Sequence, residues 1–592
     1  MTRRPGLPSG MRHAARHVPV WLRALQQRIR ESELAFILLA IATGTIAGLA
    51  TVVVGAGART LQDLLYRLPV DFRLSGAPRL TLGQLAILPL GGLVLILFNW
   101  IVRARRRALI DAVEANALHG GRLSTPDSLV IAGQTLLSNG FGASVGLEAA
   151  YAQLGALIAS LTGLRLRLRR SDVRILVGAG AGGAIAAAFG APLAGAFYGF
   201  EIVIGAYTPS AIAPVVAAAL AGSQVAQRLG VVPYQLYAQP GPAIHTAGYL
   251  LYAGLGALCA LFGIGLMRAI ALVEGQTRAR IPGWLRPVAG GLLLAPIAAW
   301  SPQALSAGHA ALHADLAVTV PLGIIVMVIA AKSLASIVSL GFGFRGGLFF
   351  ASLFLGTLIG HVYADLLAMA AHHSILNAGN AALVGMAALA VAIVGGPMTM
   401  AMLVLEATGN FSLTGAVLAA SLISSTLARV LFGYSFSTWR LHLRGETIKS
   451  ARDIGWTKTL TAGKMMRRSP ATAPAASTVA ELRRRFPLGA TSRVVLLDDK
   501  GCYAGIVTLA TAYAEDADGE QPVVRFAFAV GTALSPELDI RQIMATFDRA
   551  QTDELAVLDG DGHVLGLLTD AFVRRRYAEE LDKAQRDLFG ER

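Results

Sequence analysis

Long apolar runs alternate with short, glycine-broken ones along the first three quarters of the chain. Leu34–Ala56, Leu82–Val102 and Leu316–Leu340, the last interrupted only by Lys332, are each long enough to cross a hydrocarbon core of about 30 Å. The shorter runs read as re-entrant or half-spanning helices, which need protein or a water-filled cavity to satisfy their backbone. Past Met466 the pattern becomes that of an ordinary soluble domain. Val494–Gly501 and Gly505–Thr508 recur 61 positions later as Leu555–Gly562 and Gly566–Thr569. Each copy predicts strand, tight Asp/Gly turn, strand and then helix. The amphipathic stretches Val479–Phe486 and Ile540–Phe547 precede the two copies at the same offset.

The apolar part repeats as well. Gly140–Ile158 (GFGASVGLEAAYAQLGALI) and Gly341–Ile359 (GFGFRGGLFFASLFLGTLI) are offset by 201 positions and identical at 10 of 19. A second pair follows: Pro192 runs to Glu201 and Pro397 to Glu406, each nine residues on. Two copies of roughly 200 residues with matching Gly/Pro breaks predict a transporter built from structural repeats, its site at the breaks near the bilayer midplane.

Composition agrees with membrane embedding. The 592 residues are 54% hydrophobic and 15% charged, with mean hydropathy +0.58. The formal charge of +15 comes from Arg clusters beside apolar spans, at Arg103–Arg107, Arg165–Arg174 and Trp439–Arg452. That placement fits positive-inside topology and excludes nucleic acid as the partner. The Arg-rich lead-in has no small-residue cleavage site before Leu34, which predicts a cytoplasmic N-terminus in the cell (inner) membrane. Cys259 and Cys502 imply no disulfide framework. The soluble tail shows no metal cluster and no nucleophile–base pair, so no enzyme and no resident metal or cofactor is expected.

Glu148 carries the chemistry. It is the acidic residue of an otherwise uncharged segment, Gly142–Ala150. A carboxylate at membrane depth is costly unless it faces a cavity or is protonated. Glu148 therefore either caps a helix at the membrane surface or stands in an ion pathway. The glycines before it predict a helix start, where exposed N–H groups and the dipole favour an anion. Gly346-Gly347 offers a second start, and the two could converge. Glu201 and Glu406 end long apolar runs and are read as buried packing partners or interfacial termini. The Gly/Ala density of Gly178–Gly195 predicts close helix packing, and His119 a solvated side chain.

These motifs resemble the CLC family of chloride channels and chloride/proton exchangers. Ala186–Gly195 (AAAFGAPLAG) with Phe200-Glu201 is similar to the family's AAAFNAPLAG…E stretch. Gly146–Ala150 (GLEAA) stands where the family has GREGP, and Gly347–Ala351 (GLFFA) where it has GxFxP. The soluble repeats resemble a tandem pair of CBS (cystathionine β-synthase-type) domains. The resemblance implies inverted halves, broken helices aimed at chloride, and a homodimer with one pathway per subunit. It makes Glu148 the gate. It puts the anion at backbone groups of Gly146, Leu147, Ala149, Gly347, Leu348 and Phe349, with Phe349 also readable as a core aromatic.

The chain departs from the family at three places. Ala108 stands at the central anion-binding Ser. Phe436, or with a one-residue shift Ser437, stands at the anion-binding Tyr. Ile202 stands at the internal proton-transfer Glu. A hydrogen bond to a charged group contributes about 1.5–3 kcal/mol. The central site should weaken unless Ser435, Ser437 or a backbone group substitutes. In the tail, Thr508 and Thr569 lack the Asp three residues on that holds an adenosine ribose in CBS domains; Thr511 and Phe572 stand there. Adenine nucleotide is the one candidate ligand, against a structural or dimerising role.

The expected fold is an all-α polytopic membrane domain of two inverted repeats with broken helices, plus a small α/β CBS pair. Expected boundaries are 1–33 basic lead-in, 34–438 membrane domain (repeats 34–230 and 247–438), 439–464 linker, 465–580 CBS pair and 581–592 tail. The expected function is passive, glutamate-gated chloride conduction or loose coupling, with both termini cytoplasmic. The alternatives are a chloride/proton antiporter and a non-transporting membrane sensor. Expected partners are chloride or a related anion, protons, lipid bilayer and a second copy of the chain.

Overall fold

The computed structural model describes residues 28–29, 32–68, 73–102, 109–232, 246–312, 321–435, 439 and 460–589. The chain divides into two units, Met1–Asp453 and Ile454–Arg592. Among the described residues eight helices are long and apolar enough to cross a membrane.

In the first repeat, α1 (Glu33–Tyr66), α2 (Ile87–Ile101), the short α3 (Ala112–Leu118) and α4 (Thr125–Gly140) lead to α5 (Glu148–Arg165) and α6 (Arg170–Phe189). Then α7 (Pro192–Tyr198) widens into a π-helical turn, Gly199–Ile204, before α8 (Pro209–Arg228). The second repeat runs through α9 (Thr246–Arg280), α10 (Arg286–Trp300), α11 (Leu322–Gly341), α12 (Phe349–Ala371), α13 (Ala378–Val394), α14 (Pro397–Thr408) and α15 (Phe411–Leu431). Caps set several of these limits. Ser32 accepts from the Ala35 N–H at the start of α1, and Asn377 and Asn410 do the same for α13 and α15.

Association inside a membrane depends on close backbone approach rather than on hydrophobic exclusion. The glycines supply it in matched pairs. A Cβ on Gly155 of α5 would strike the Gly180 carbonyl of α6, and one on Gly180 would strike the Gly155 carbonyl. Gly356 of α12 and Gly385 of α13 stand in the same relation. The helix density of Gly178–Gly195 is used as expected: Gly182 meets Gly195, and Gly178 meets Ile204. Gly155 and Gly356 are equivalent positions of the repeated segment, so the same close approach is made once in each repeat.

The second unit holds two three-stranded sheets. With β1 (Arg467–Arg468), β2 (Thr472–Pro474), β3 (Arg493–Leu497), β4 (Tyr503–Thr508), β5 (Glu554–Leu558) and β6 (Val564–Thr569), the strand orders are β2-β3-β4 and β1-β6-β5. Each hairpin turn is held by its first aspartate. Asp498 Oδ1 accepts from the Lys500 and Cys502 N–H groups at 2.9 and 2.8 Å. Asp559 Oδ1 accepts from Asp561 and His563 at 3.0 and 2.8 Å. Helices α16 (Val479–Arg485) and α17 (Ile540–Ala550) each start with a capping box and bury Val479 and Leu482, and Ile540, Ile543 and Phe547, against the sheets. The final helix, α18 (Asp570–Phe589), follows β6. Thr569 Oγ1 accepts from the Phe572 N–H at 3.4 Å, so this hydroxyl caps α18.

Candidate functional site

The repeated GFG motif ends a helix and starts the site. Its third glycine takes a left-handed backbone in both copies, φ +87° at Gly142 and +98° at Gly343. There the Gly142 N–H closes on Asn139 O at 3.0 Å and the Gly343 N–H on Leu340 O at 3.3 Å, terminating α4 and α11. The released segments then meet. The Gly146 N–H donates to Gly347 O at 2.9 Å, and the Gly347 N–H donates to Gly146 O at 3.2 Å. Two serines brace this bridge from outside. Ser339 Oγ accepts from the Ser144 N–H at 2.9 Å, and Ser138 Oγ accepts from the Arg345 N–H at 3.0 Å. One residue past the bridge on each side, Leu147 and Leu348 lead into α5 and α12.

Glu148 is the first residue of α5 and only 5% exposed. Its Oε2 has no hydrogen-bond partner among the described residues. The bridging glycines create the space it occupies. A Cβ on Gly146 would overlap the carboxylate, and one on Gly347 would lie 3.3 Å from Oε2. The Phe350 N–H, from the opposite repeat, also faces this carboxylate. The bridge narrows the expected set of anion donors. The N–H groups of Gly146 and Gly347 are spent on each other, so these two residues serve by lacking side chains. Leu147, Ala149, Leu348 and Phe349 stand at the helix starts, where the ladder leaves N–H groups without acceptors.

Lys332 of α11 is the functional candidate that pattern reading left as a mere interruption. It is completely buried, and its Nζ donates to Ser306 O at 2.8 Å and to Ala304 O at 3.2 Å. It lies within electrostatic range of Glu148. The same Ser306 accepts through Oγ from Gln62 Nε2 and Asn139 Nδ2, both at 3.1 Å. A lone cation in a spanning run was the available signal, because such a residue marks a pathway by default.

Gln62, Asn139 and Ser306 also line a cavity of about 450 Å³ with Arg59, Arg73 and His309. Its walls reach Leu147 and Tyr151, so it opens onto the first turn of α5. The α1 part of its wall begins at Thr51, placing it toward the end of that helix away from the N-terminal segment. His309 stacks on Phe350 with ring centroids 3.6 Å apart. No spacing in the sequence announced this grouping, since its members come from seven separate segments.

The voltage gated chloride channel family model matches residues 90–429, more than half of the chain. The chain belongs to the CLC family. A CBS domain model matches residues 462–512. The voltage-gated ClC-type chloride channel ClcB of Escherichia coli is 28% identical over 363 residues, 60% of this chain and 85% of that protein. A chloride/fluoride channel protein of Pseudomonas syringae pv. tomato is 33% identical over 255 residues, 39% of this chain and 53% of that protein. The crystal structure of a slow cyanobacterial Cl⁻/H⁺ antiporter shares the fold. It has a TM-score of 0.59 at 22% identity and covers 69% of this chain and 97% of that one.

Within this CLC fold, the two acidic residues of the second repeat pair have a definite structural task. Glu406 accepts from the Leu193 and Ala194 N–H groups at 2.7 and 2.9 Å, capping α7. Glu201 accepts from the Met398 and Thr399 N–H groups at 3.1 and 2.8 Å and from Thr399 Oγ1 at 2.7 Å, capping α14. Each repeat thus caps the short helix of the other. Ile202, at the position of the family's internal glutamate, is a partly buried hydrophobic packed against the core. A Cβ on Gly396 would lie 3.1 Å from its Cδ1. Phe349 is buried between Phe189 and Tyr198, with ring centroids at 5.2 and 6.3 Å. His119 is exposed. Ala108, Phe436 and Ser437 lie outside the described residues.

Proposed function

We propose that this CLC protein conducts chloride or a related small anion passively, through a pathway gated by Glu148. The observation that carries the reading is the placement of that carboxylate. It is buried between two bridged helix starts with one oxygen unpartnered, in a space that the glycines leave open. An anionic oxygen fits there for the reason a permeant anion does, so gate and anion compete for the same donors. Protonation removes the charge that holds the carboxylate, and acid then opens the path. The packing of Ile202 in the apolar interior supports conduction over exchange, because no carboxylate stands at that point to pass protons from the inner side. Tight exchange would require proton and anion occupancy to be linked.

Liposomes carrying the purified protein test this with a chloride electrode and a pH electrode, under a chloride gradient, with and without valinomycin. Chloride efflux that requires valinomycin and moves no protons uphill supports conduction. Uphill proton movement lost in Glu148→Ala would establish exchange instead. One observation favours that second reading: Asp111, at the start of α3, and Glu148 both lie within electrostatic range of Tyr198, so a second carboxylate stands near the gate. No anion movement at all would leave the sensor reading.

The protein is further proposed to be a homodimer, on its resemblance to the family, and to lie in the cell (inner) membrane with cytoplasmic termini, a topology that the Arg clusters flanking its spans support. Detergent-phase mass measurement and accessibility labelling of tail cysteine Cys502 check the two points. The CBS pair is proposed to be structural. Thr569 already caps α18, and neither Thr508 nor Thr569 has an acidic neighbour for a ribose; calorimetric titration with ATP should show no heat.

A further inference from the structure

One phenol of the first repeat, that of Tyr198, stands against the residue that opens α12 in the second. Tyr198 ends α7 where the helix widens into the π-turn, a distortion that occurs mostly at functional sites. The turn is fixed from two sides. Gly199 lies against the Gly178 carbonyl, where a Cβ would approach to 2.7 Å, and Asn116 Nδ2 of α3 donates to Val203 O at 2.8 Å. Held this way, the Tyr198 ring is 9% exposed and tilts against Phe349, the first residue of α12.

The Tyr198 hydroxyl meets no hydrogen-bonding partner among the described residues. The residue as a whole is buried, and a phenol in such surroundings usually finds one. Glu148 and Asp111 both lie within electrostatic range of it. Asp111 is already occupied in capping α3, where its Oδ1 accepts from the Glu114 N–H at 2.8 Å. The Tyr198 ring therefore stands against the side chain that opens α12, within electrostatic range of Glu148, with a hydroxyl donor to spare.

We propose that Tyr198 is an anion ligand of the central pathway, its O–H donating to the permeating anion beside the N–H groups that open α12. This deepens the conduction reading and rests on it. The ligand class is a small inorganic anion. A phenol donor in an aromatic wall would set selectivity among such anions, since the strength of an O–H contact depends on the acceptor's charge density.

The test is Tyr198→Phe, which keeps the ring and removes only the hydroxyl. Chloride binding is measured by isothermal titration in detergent, and anion flux in liposomes across a chloride series. Loss of a hydrogen bond to an anion should weaken binding roughly tenfold or more. The half-saturating chloride concentration should rise by a similar factor, and the chloride-to-nitrate ratio should change. Unaltered anion binding and selectivity in Tyr198→Phe overturn the inference. That holds also if proton movement alone is lost, which would make Tyr198 a proton relay between Glu148 and Asp111. Absence of anion flux in the unmodified protein would instead sink the conduction reading, so the two failures are distinguishable. Matching elution profiles of variant and parent exclude a folding defect.

Discussion

At the scale of single residues, the site is organised by what glycines leave out. Gly146→Ala places a methyl where the Glu148 carboxylate lies; the bridge holds the backbone, so the carboxylate is the group that must move away. The variant should conduct at neutral pH with its acid activation flattened, as read from liposome flux between pH 4 and 8, about the range over which a carboxylate gate titrates. Gly347→Ala, whose new Cβ would only touch Oε2 at 3.3 Å, should show a milder form of the same change. Arg59 on the cavity wall offers a contrasting case. Arg59→Gln should raise the half-saturating chloride concentration several-fold for flux from that side, and the effect should shrink at high salt. Glu148 and the Gly–Gly breaks were legible because charge and chain interruption are expensive in a membrane and so stand out locally. Lys332 was visible but read as an interruption, and its partners are carbonyls, which no sequence displays. Tyr198 was invisible, because an aromatic at helical spacing looks the same whether its hydroxyl is idle or poised.

At the scale of elements, the repeat is a set of exchanged contacts. Glu201 and Glu406 were read as packing or terminal residues, and each proves to cap the helix of the opposite repeat. Sequence showed them to be equivalent, yet equivalence does not say which partner each one meets. Glu406→Ala removes the acceptor of the Leu193 and Ala194 N–H groups at the start of α7, and the loss should be about 1.5–3 kcal/mol. A lowered melting temperature in detergent checks this, with Glu406→Gln intermediate. The tail hairpins rest on a different device. The His563 and Asp561 N–H groups hold the ionised form of Asp559 and keep its carboxyl below the ordinary carboxylate range. A lowered folded-state value means that its contribution is present at neutral pH and is lost only as pH falls through that value. A fragment spanning 460–589 should therefore melt at a constant temperature through mild acid and lose stability only below about pH 4. Asp559→Ala should reduce that acid sensitivity.

At the scale of the molecule, the two units fold on separate principles. The tail has hydrophobic cores of its own, one per sheet, and residues 460–589 should be soluble and melt cooperatively when expressed alone, as circular dichroism would show. The membrane unit has no such independence between its halves. Leu193 and Ala194 wait for an acceptor that lies 213 and 212 positions further along the chain. At a ribosomal rate of about 5–20 residues per second, the first half stays incomplete for roughly 10–40 s after α7 has emerged. During that interval the exposed N–H groups of α7 sit at membrane depth with nothing to receive them. Until Glu406 arrives, those groups must be paired by something other than their final acceptor. A ribosome stalled anywhere between the two leaves a product that the membrane can hold but cannot close.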